Sequence, residues 1–386
     1  MRISTKTQRS GKLRASLLPI LQDGRSAGIV LIVLTVTSVL SAHYLPSYRN
    51  FWGQELFSSA GTHLPHYLRD WINDGVMTIF FFTVALEIKS EMAGGQLSSF
   101  SKALFPVGAA LGGMIVPALI FTLFNWNTEF QHGWGIPTAT DIAFPMGVLY
   151  ILGKRIPPAL TLFLLALAVM DDLGAILLIA FFYGARFDVR YLVAAVLLTA
   201  ILGRLSMRTG KVNAFFILAG ATLWYLVYNS GVHGTVAGVI LAFCVPSWSV
   251  PHLQLRLHTL VNFVILPVFV MANTSFEIHA GYFRLLSHPL SLGIICGLFF
   301  GKPLGIVLSA YLLIRSGLCR IPEKCNFNQL FGAAILAGAG FTMSIFISGI
   351  AFTGPALYQS EFSIFLASFL ALTVGFFWLR LSKNLT

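Results

Sequence analysis

The chain has 386 residues, 56% of them hydrophobic and only 10% charged, with a formal charge of +11. A water-soluble protein carries roughly 25% charged residues. The composition therefore excludes an ordinary soluble domain and points to segments of about 20 apolar residues, the length that crosses a bilayer. In chain order, twelve such spans are predicted: 27–45, 74–93, 104–124, 133–152, 159–182, 189–206, 212–228, 231–246, 258–275, 289–313, 327–352 and 361–380. The expected fold class is all-α, a polytopic membrane protein of 12 transmembrane helices embedded in lipid. It comprises a basic N-terminal segment, 1–26, and a single domain, 27–386.

The positive charge is distributed as an orientation signal. With the N-terminus placed in the cytoplasm, nineteen Lys and Arg fall on cytoplasmic segments. Five (Arg49, Arg69, Arg186, Arg190, Arg284) fall outside, and Lys302 lies within a span. That asymmetry obeys the positive-inside rule and puts both termini in the cytoplasm. It leaves no basic face for nucleic acid. The first apolar run, 28–40, lacks a small-residue cleavage site and reads as a retained span. Cys244, Cys296, Cys319 and Cys325 lie in spans or on the cytoplasmic side, where a disulfide framework is not expected. The one long outer loop, 45–73, carries a turn candidate at Ser58–Gly61. A surface hairpin and an irregular loop are equally compatible with it.

Two spans read as broken. In 133–152, Pro137 and Pro145 bracket Thr138-Ala139-Thr140-Asp141, and in 327–352 Gly338-Ala339-Gly340 lies at the centre. Proline removes a backbone donor and glycine weakens a helix. Inside lipid, the freed groups must face protein or a water-filled cavity. The broken spans are the middle members of two three-helix units, about 104–182 and 289–380, that begin on opposite sides of the membrane. Two inverted repeats with broken, crossing central helices are expected. In 289–313, Gly293, Gly297, Gly301 and Gly305 recur every fourth residue, a row that lets another helix approach closely.

The run "AVMDDLGAILLIA" (168–180) holds Asp171 and Asp172, and two further charges, Asp141 and Lys302, lie near midplane. Each costs roughly 2.5–3.5 kcal/mol at a helix centre, and such residues are functional candidates by default. Two adjacent carboxylates repel when both are ionised, so the pair readily keeps a proton. A hard cation such as Na⁺ seeks the same oxygens. Competition between H⁺ and Na⁺ is exchange chemistry and needs no cofactor. Asp171 and Asp172, pointing about 100° apart, are expected to flank a shared cavity. Thr140 would offer a hydroxyl or a carbonyl to the cation. Asp141 suits the positive N-terminal ends of crossing half-helices, and Lys302 suits their negative C-terminal ends or pairs with Asp171.

Rival functions fit less well. An intramembrane aspartyl protease needs carboxylates facing each other from different helices, and a channel is ill served by a buried lysine beside its site. A nucleotide-driven pump lacks a phosphate loop. An enzyme is therefore not expected. The remaining alternative is another inverted-repeat carrier, such as one coupling Na⁺ to an organic anion.

The segments "GWGIPTATDIAF" (133–144), "LALAVMDDLGAI" (165–176), "GKPLGI" (301–306) and "GAGFTMSIFI" (338–347) resemble the signature segments of bacterial NhaA-type Na⁺/H⁺ antiporters. "WINDGVMTIFFFTVALEIKSEM" (71–92) and "SGVHGTVAGVILAF" (230–243) are similar to further family segments. The resemblance runs from about residue 20 to 380. It implies an electrogenic antiporter of the bacterial inner membrane, exporting one Na⁺ or Li⁺ for two H⁺ by alternating access in Na⁺ and pH homeostasis. It implies Asp171 and Asp172 as cation and proton carriers, Thr140 near the cation, Asp141 and Lys302 at the helix crossing, and a homodimer formed through loop 45–73. A pH-regulating role is implied for Glu87, Glu91, His233 and His258. Ser90, Gln254 and Pro145 depart from the family pattern. Read alone, Glu87 and Glu91 equally fit a solvated pair bridged by Lys89 or Lys102, His233 a local hydrogen bond, His258 an interfacial residue and Asp74 a helix N-cap.

Overall fold

The computed structural model describes residues 24–57, 64–95, 97–184, 187–209, 214–275, 284–323 and 325–382. Most of segment 1–26 and the turn candidate at 58–61 lie outside the described residues. Among those described, nine helices are long and apolar enough to cross a membrane. The pair Phe327–Ala337 and Phe341–Ala351, bent by 42°, makes ten. The protein is an all-helical polytopic membrane protein.

In chain order the elements are α1 (Gly24–Tyr44), α2 (Met77–Gly94), α3 (Phe100–Phe124), α4 (Ala143–Leu152), α5 (Pro158–Phe182), α6 (Val189–Thr209), α7 (Ala214–Asn229) and α8 (Val236–Cys244). There follow α9 (Val250–Leu260), α10 (Leu266–Asn273), α11 (Pro289–Cys296), α12 (Lys302–Arg315), α13 (Phe327–Ala337), α14 (Phe341–Ala351) and α15 (Gly354–Leu381). The predicted spans 212–228 and 231–246 correspond to α7 and α8, at 16 and 9 residues. Both are shorter than a hydrocarbon core requires.

Several boundaries differ from the sequence reading. The second span begins at Leu68, because a π-helical turn at Trp71–Val76 continues it toward the N-terminus. Asp74 is thus inside the helix and is not an N-cap. The last span begins at Gly354, with Pro355 in its first turn, and not at 361. Another π-turn, Val261–Ile265, joins α9 to α10, so His258 lies within a continuous span, Ser247–Asn273. A third, Gly297–Gly301, directly precedes Lys302. In loop 45–73, Glu55 and Tyr67 form an antiparallel bridge, and Leu56 N–H donates to the His66 carbonyl at 2.8 Å.

The glycine row of α11–α12 faces α3. A Cβ added at Gly305 would strike the backbone of Gly112, and one at Gly297 would meet Pro137 at 2.7 Å. These glycines serve close helix packing.

Candidate functional site

Both predicted interruptions are present, and they are hydrogen-bonded to each other. The first begins with a 3₁₀ segment, Gln131–Thr138, leaves helical geometry at Ala139 (φ −85°, ψ 151°) and resumes as α4. Pro145 sits in the first turn of α4, where its missing N–H removes no intrahelical bond. Gly153, at φ 58°, lets the half-helix end in a conformation that L side chains resist. The second break separates α13, started by a capping box of Asn326 and Gln329, from α14. A Cβ at Gly340 would lie 3.0 Å from the Ala139 carbonyl, so the crossing needs glycine there.

Asp141 N–H donates to the Ala339 carbonyl at 2.9 Å, and Ser344 Oγ donates to the Ile136 carbonyl at 2.8 Å. Each break satisfies backbone groups freed by the other, as a non-helical segment at membrane depth requires. The charged residues sit at the like ends. The Asp141 carboxylate accepts from Ala143 N–H (2.9 Å) at the start of α4 and from Thr342 N–H (3.0 Å) at the start of α14, with a further short bond from the Thr342 hydroxyl. It thus spans two helix N-termini, whose dipoles favour an anion. Lys302, fully buried, donates to the Thr138 carbonyl at 2.5 Å, where the 3₁₀ segment ends, and pairs with Asp171 Oδ2 at 2.9 Å. Both uses of Lys302 left open by the sequence therefore occur together.

Asp171 and Asp172 occupy different surroundings. Asp171 Oδ2 is held by Lys302 and by the Thr140 hydroxyl, 2.5 Å away. Among the described residues, its Oδ1 and both oxygens of Asp172 have no partner, although both residues are 1% exposed. Asp172 lines a cavity of about 290 Å³ together with Asp141, Glu87, Tyr150, His258, Asn262 and Thr342. Neither Asp171 nor Thr140 lines it. The 100° step between neighbours turns one acid to the cavity and the other to Lys302, so the expectation of a cavity flanked by both is corrected. An unpartnered buried carboxylate is costly, and here it lies where a cation entering the cavity would meet it. Among the described residues, no trio of His, Cys, Asp and Glu is arranged to hold a metal.

The four residues of the regulatory expectation separate. Glu87 and His258 line the cavity. Glu91 lies one turn beyond Glu87 on α2. His233 lies at the opposite end, with Nδ1 2.9 Å from Asp74 Oδ1. Lys89 does not bridge the glutamates. Its ammonium donates to the Phe243 carbonyl at 2.8 Å and to that of Val245, at the C-terminal end of α8, where cations are favoured.

Sequence reasoning missed Thr342, whose signal was a hydroxyl placed just after the second break. It also missed Glu361, which is buried two turns inside α15. Placing that span's start at 361 had put Glu361 at its edge.

A family model described as Na⁺/H⁺ antiporter 1 matches residues 19–379. The chain is 44% identical over 372 residues to the Na⁺/H⁺ antiporter NhaA of Cytophaga hutchinsonii, covering 94% of each protein. It is 45% identical over 369 residues to the NhaA of Dechloromonas aromatica, covering 92% of this chain and 93% of that one. It is likewise 45% identical over 334 residues to the NhaA of Yersinia enterocolitica, covering 82% and 84%.

Proposed function

The chain belongs to the NhaA family of Na⁺/H⁺ antiporters, and from that premise we propose that Na⁺ and H⁺ alternate on Asp172 and Asp171. The protein is a transporter and not an enzyme. The observation that carries the site assignment is Asp172, buried at the cavity with neither carboxylate oxygen partnered. A cation arriving there meets a bare carboxylate. Asp171 offers it one free oxygen, Oδ1, while Lys302 and the Thr140 hydroxyl hold Oδ2. Cation binding thus competes with a proton on Asp172 and with the ammonium on Asp171, and the site holds one set of charges at a time. Asp141 holds the N-terminal ends of the half-helices together, Lys302 sits at the Thr138 end of the first, and the Thr140 hydroxyl is also within reach of the Ala337 carbonyl at the end of α13, at 3.1 Å, so the site moves as a unit.

In this reading, Na⁺ or Li⁺ leaves the cell and H⁺ enters, one cation against two protons. Each cycle moves net charge and is driven by the membrane potential at about 2.3 kcal/mol per charge per 100 mV. Access alternates about two inverted repeats, 104–182 and 289–380, in a fold of twelve spans that counts α7 and α8. NhaA is itself a type example of that architecture. Both termini lie in the cytoplasm of a bacterial inner membrane, so the Glu87 end of the cavity faces the cytoplasm. Glu87, Glu91 and His258 then set the charge at the cavity's approach, while His233 acts from the far side through Asp74. Loop 45–73, where Glu55 and Tyr67 form an antiparallel bridge, forms the contact of a homodimer.

In everted membrane vesicles, adding Na⁺ should collapse a preset pH gradient, and Asp172→Asn should abolish the response. Wild-type vesicles giving no response between about pH 6.5 and 9, a range that starts at the unperturbed histidine value and runs above it, would refute antiport.

A further inference from the structure

Away from the cavity lies a polar cluster that the transport site does not use. The Arg69 guanidinium pairs with Glu361, and its Nε donates to Asn273 Oδ1 at 3.0 Å. Asn273 and Asn73 exchange side-chain hydrogen bonds of 2.8 and 3.1 Å. Glu361 and Asn273 are each 1% exposed. Arg69 and Glu87 lie on the same span, separated by about 27 Å of helix rise, which puts the cluster at the end opposite the cavity's approach.

The cluster joins two sets of helices. Arg69 and Asn73 begin the span of α2, and Asn273 ends α10. Glu361 belongs to α15, which is tied to the crossing twice: Ser360 bonds Ser348 of α14, and Ser368 Oγ accepts from Phe341 N–H at 3.2 Å. A displacement of the crossing therefore carries Glu361 with it, away from Arg69. Among the described residues, Glu361 Oε2 has no partner and no side chain besides Arg69 holds this carboxylate.

Building on the alternating-access reading, we propose that Arg69 and Glu361, braced by Asn73 and Asn273, form a gate that seals the far side while the cavity is open and must part for the cation to leave. Glu361 is a gating residue and takes no part in binding at Asp172.

The test uses full-length protein in which Cys244, Cys296, Cys319 and Cys325 are replaced by serine, with Arg69→Cys and Glu361→Cys introduced together. Bridging the pair with a short bis-methanethiosulfonate should cut Na⁺-driven collapse of the pH gradient by about tenfold or more, because the open state becomes unpopulated. Dithiothreitol should restore it. Na⁺-induced proton release by the bridged protein in detergent should persist, since the cavity side still opens. Full exchange by the bridged protein would overturn the gate. Absence of exchange before bridging, in wild type as well, would instead overturn the transport reading. Charge exchange supplies an independent arm: Glu361→Arg alone should lose transport, and adding Arg69→Glu should recover it. Equal loss in the single and double variants would count against the pair.

Discussion

Asp141 and Asp172 are both buried carboxylates, yet they are treated in opposite ways. The Asp141 carboxylate bridges two half-helices: a backbone N–H from the start of each, and the Thr342 hydroxyl, converge on it. Asp172 has no such partner. A buried charge whose oxygens are all engaged is part of the architecture, whereas one left bare beside a cavity is reserved for something that comes and goes. Asp171 stands between the two, with one oxygen held by Lys302 and Thr140 and the other free.

The contrast is sharpest at its two poles. Asp172→Asn should abolish exchange while leaving thermal unfolding in detergent unchanged or slightly raised, because no bond is lost and a charge costing roughly 2.5–3.5 kcal/mol is removed. Asp141→Ala should do the reverse in the first instance. It strands three buried donors at about 1–3 kcal/mol each, so folded yield and melting temperature should drop sharply. If the two variants unfolded alike, the distinction between architecture and cargo site would fail.

Lys302→Met should destabilise by about 3–5 kcal/mol, the usual cost of breaking one partner from a buried pair. Adding Asp171→Asn should recover much of it, because the stranded charge is then gone. No recovery in the double variant would show that the Thr138 contact, and not the ion pair, sets the stability. Thr342→Val removes one hydroxyl from the carboxylate and should cost about 1.5–3 kcal/mol with exchange retained. The smallest effect belongs to Asp188, outside the spans. The Arg190 guanidinium beside it holds its carboxyl below the usual carboxylate range. That contribution is present above the ordinary aspartate value and is lost as pH falls through the lowered one. The pair lies at the surface, its side chains 31% (Asp188) and 89% (Arg190) exposed, so solvent screens it and Asp188→Asn should change neither stability nor exchange measurably.

The four midplane charges were legible because an apolar run makes each ionisable residue conspicuous, and Pro137 with Gly338-Ala339-Gly340 marked the breaks. The pairing of those breaks was not legible. It depends on which carbonyl each freed N–H meets, and no spacing encodes that. The separation of Asp171 from the cavity was hidden for a related reason: periodicity gives the angle between neighbours but not what lies at each angle. Asp74 and Glu361 were misplaced by helix starts set six and seven residues too late. The polar and glycine content at 68–73 and 354–360 masked helical turns that tertiary packing sustains. Local spacing allowed Lys89 or Lys102 as a bridge between Glu87 and Glu91, and the open carbonyls at the end of α8 took Lys89 instead.

Proton release measured with a pH dye on purified protein in detergent tests the exchange most directly. On adding Na⁺, wild type should release protons. Its apparent Na⁺ affinity should fall by about tenfold per pH unit on acidification for each proton displaced, and Asp172→Asn should release none. Na⁺ binding with no proton release and an affinity independent of pH would contradict the account.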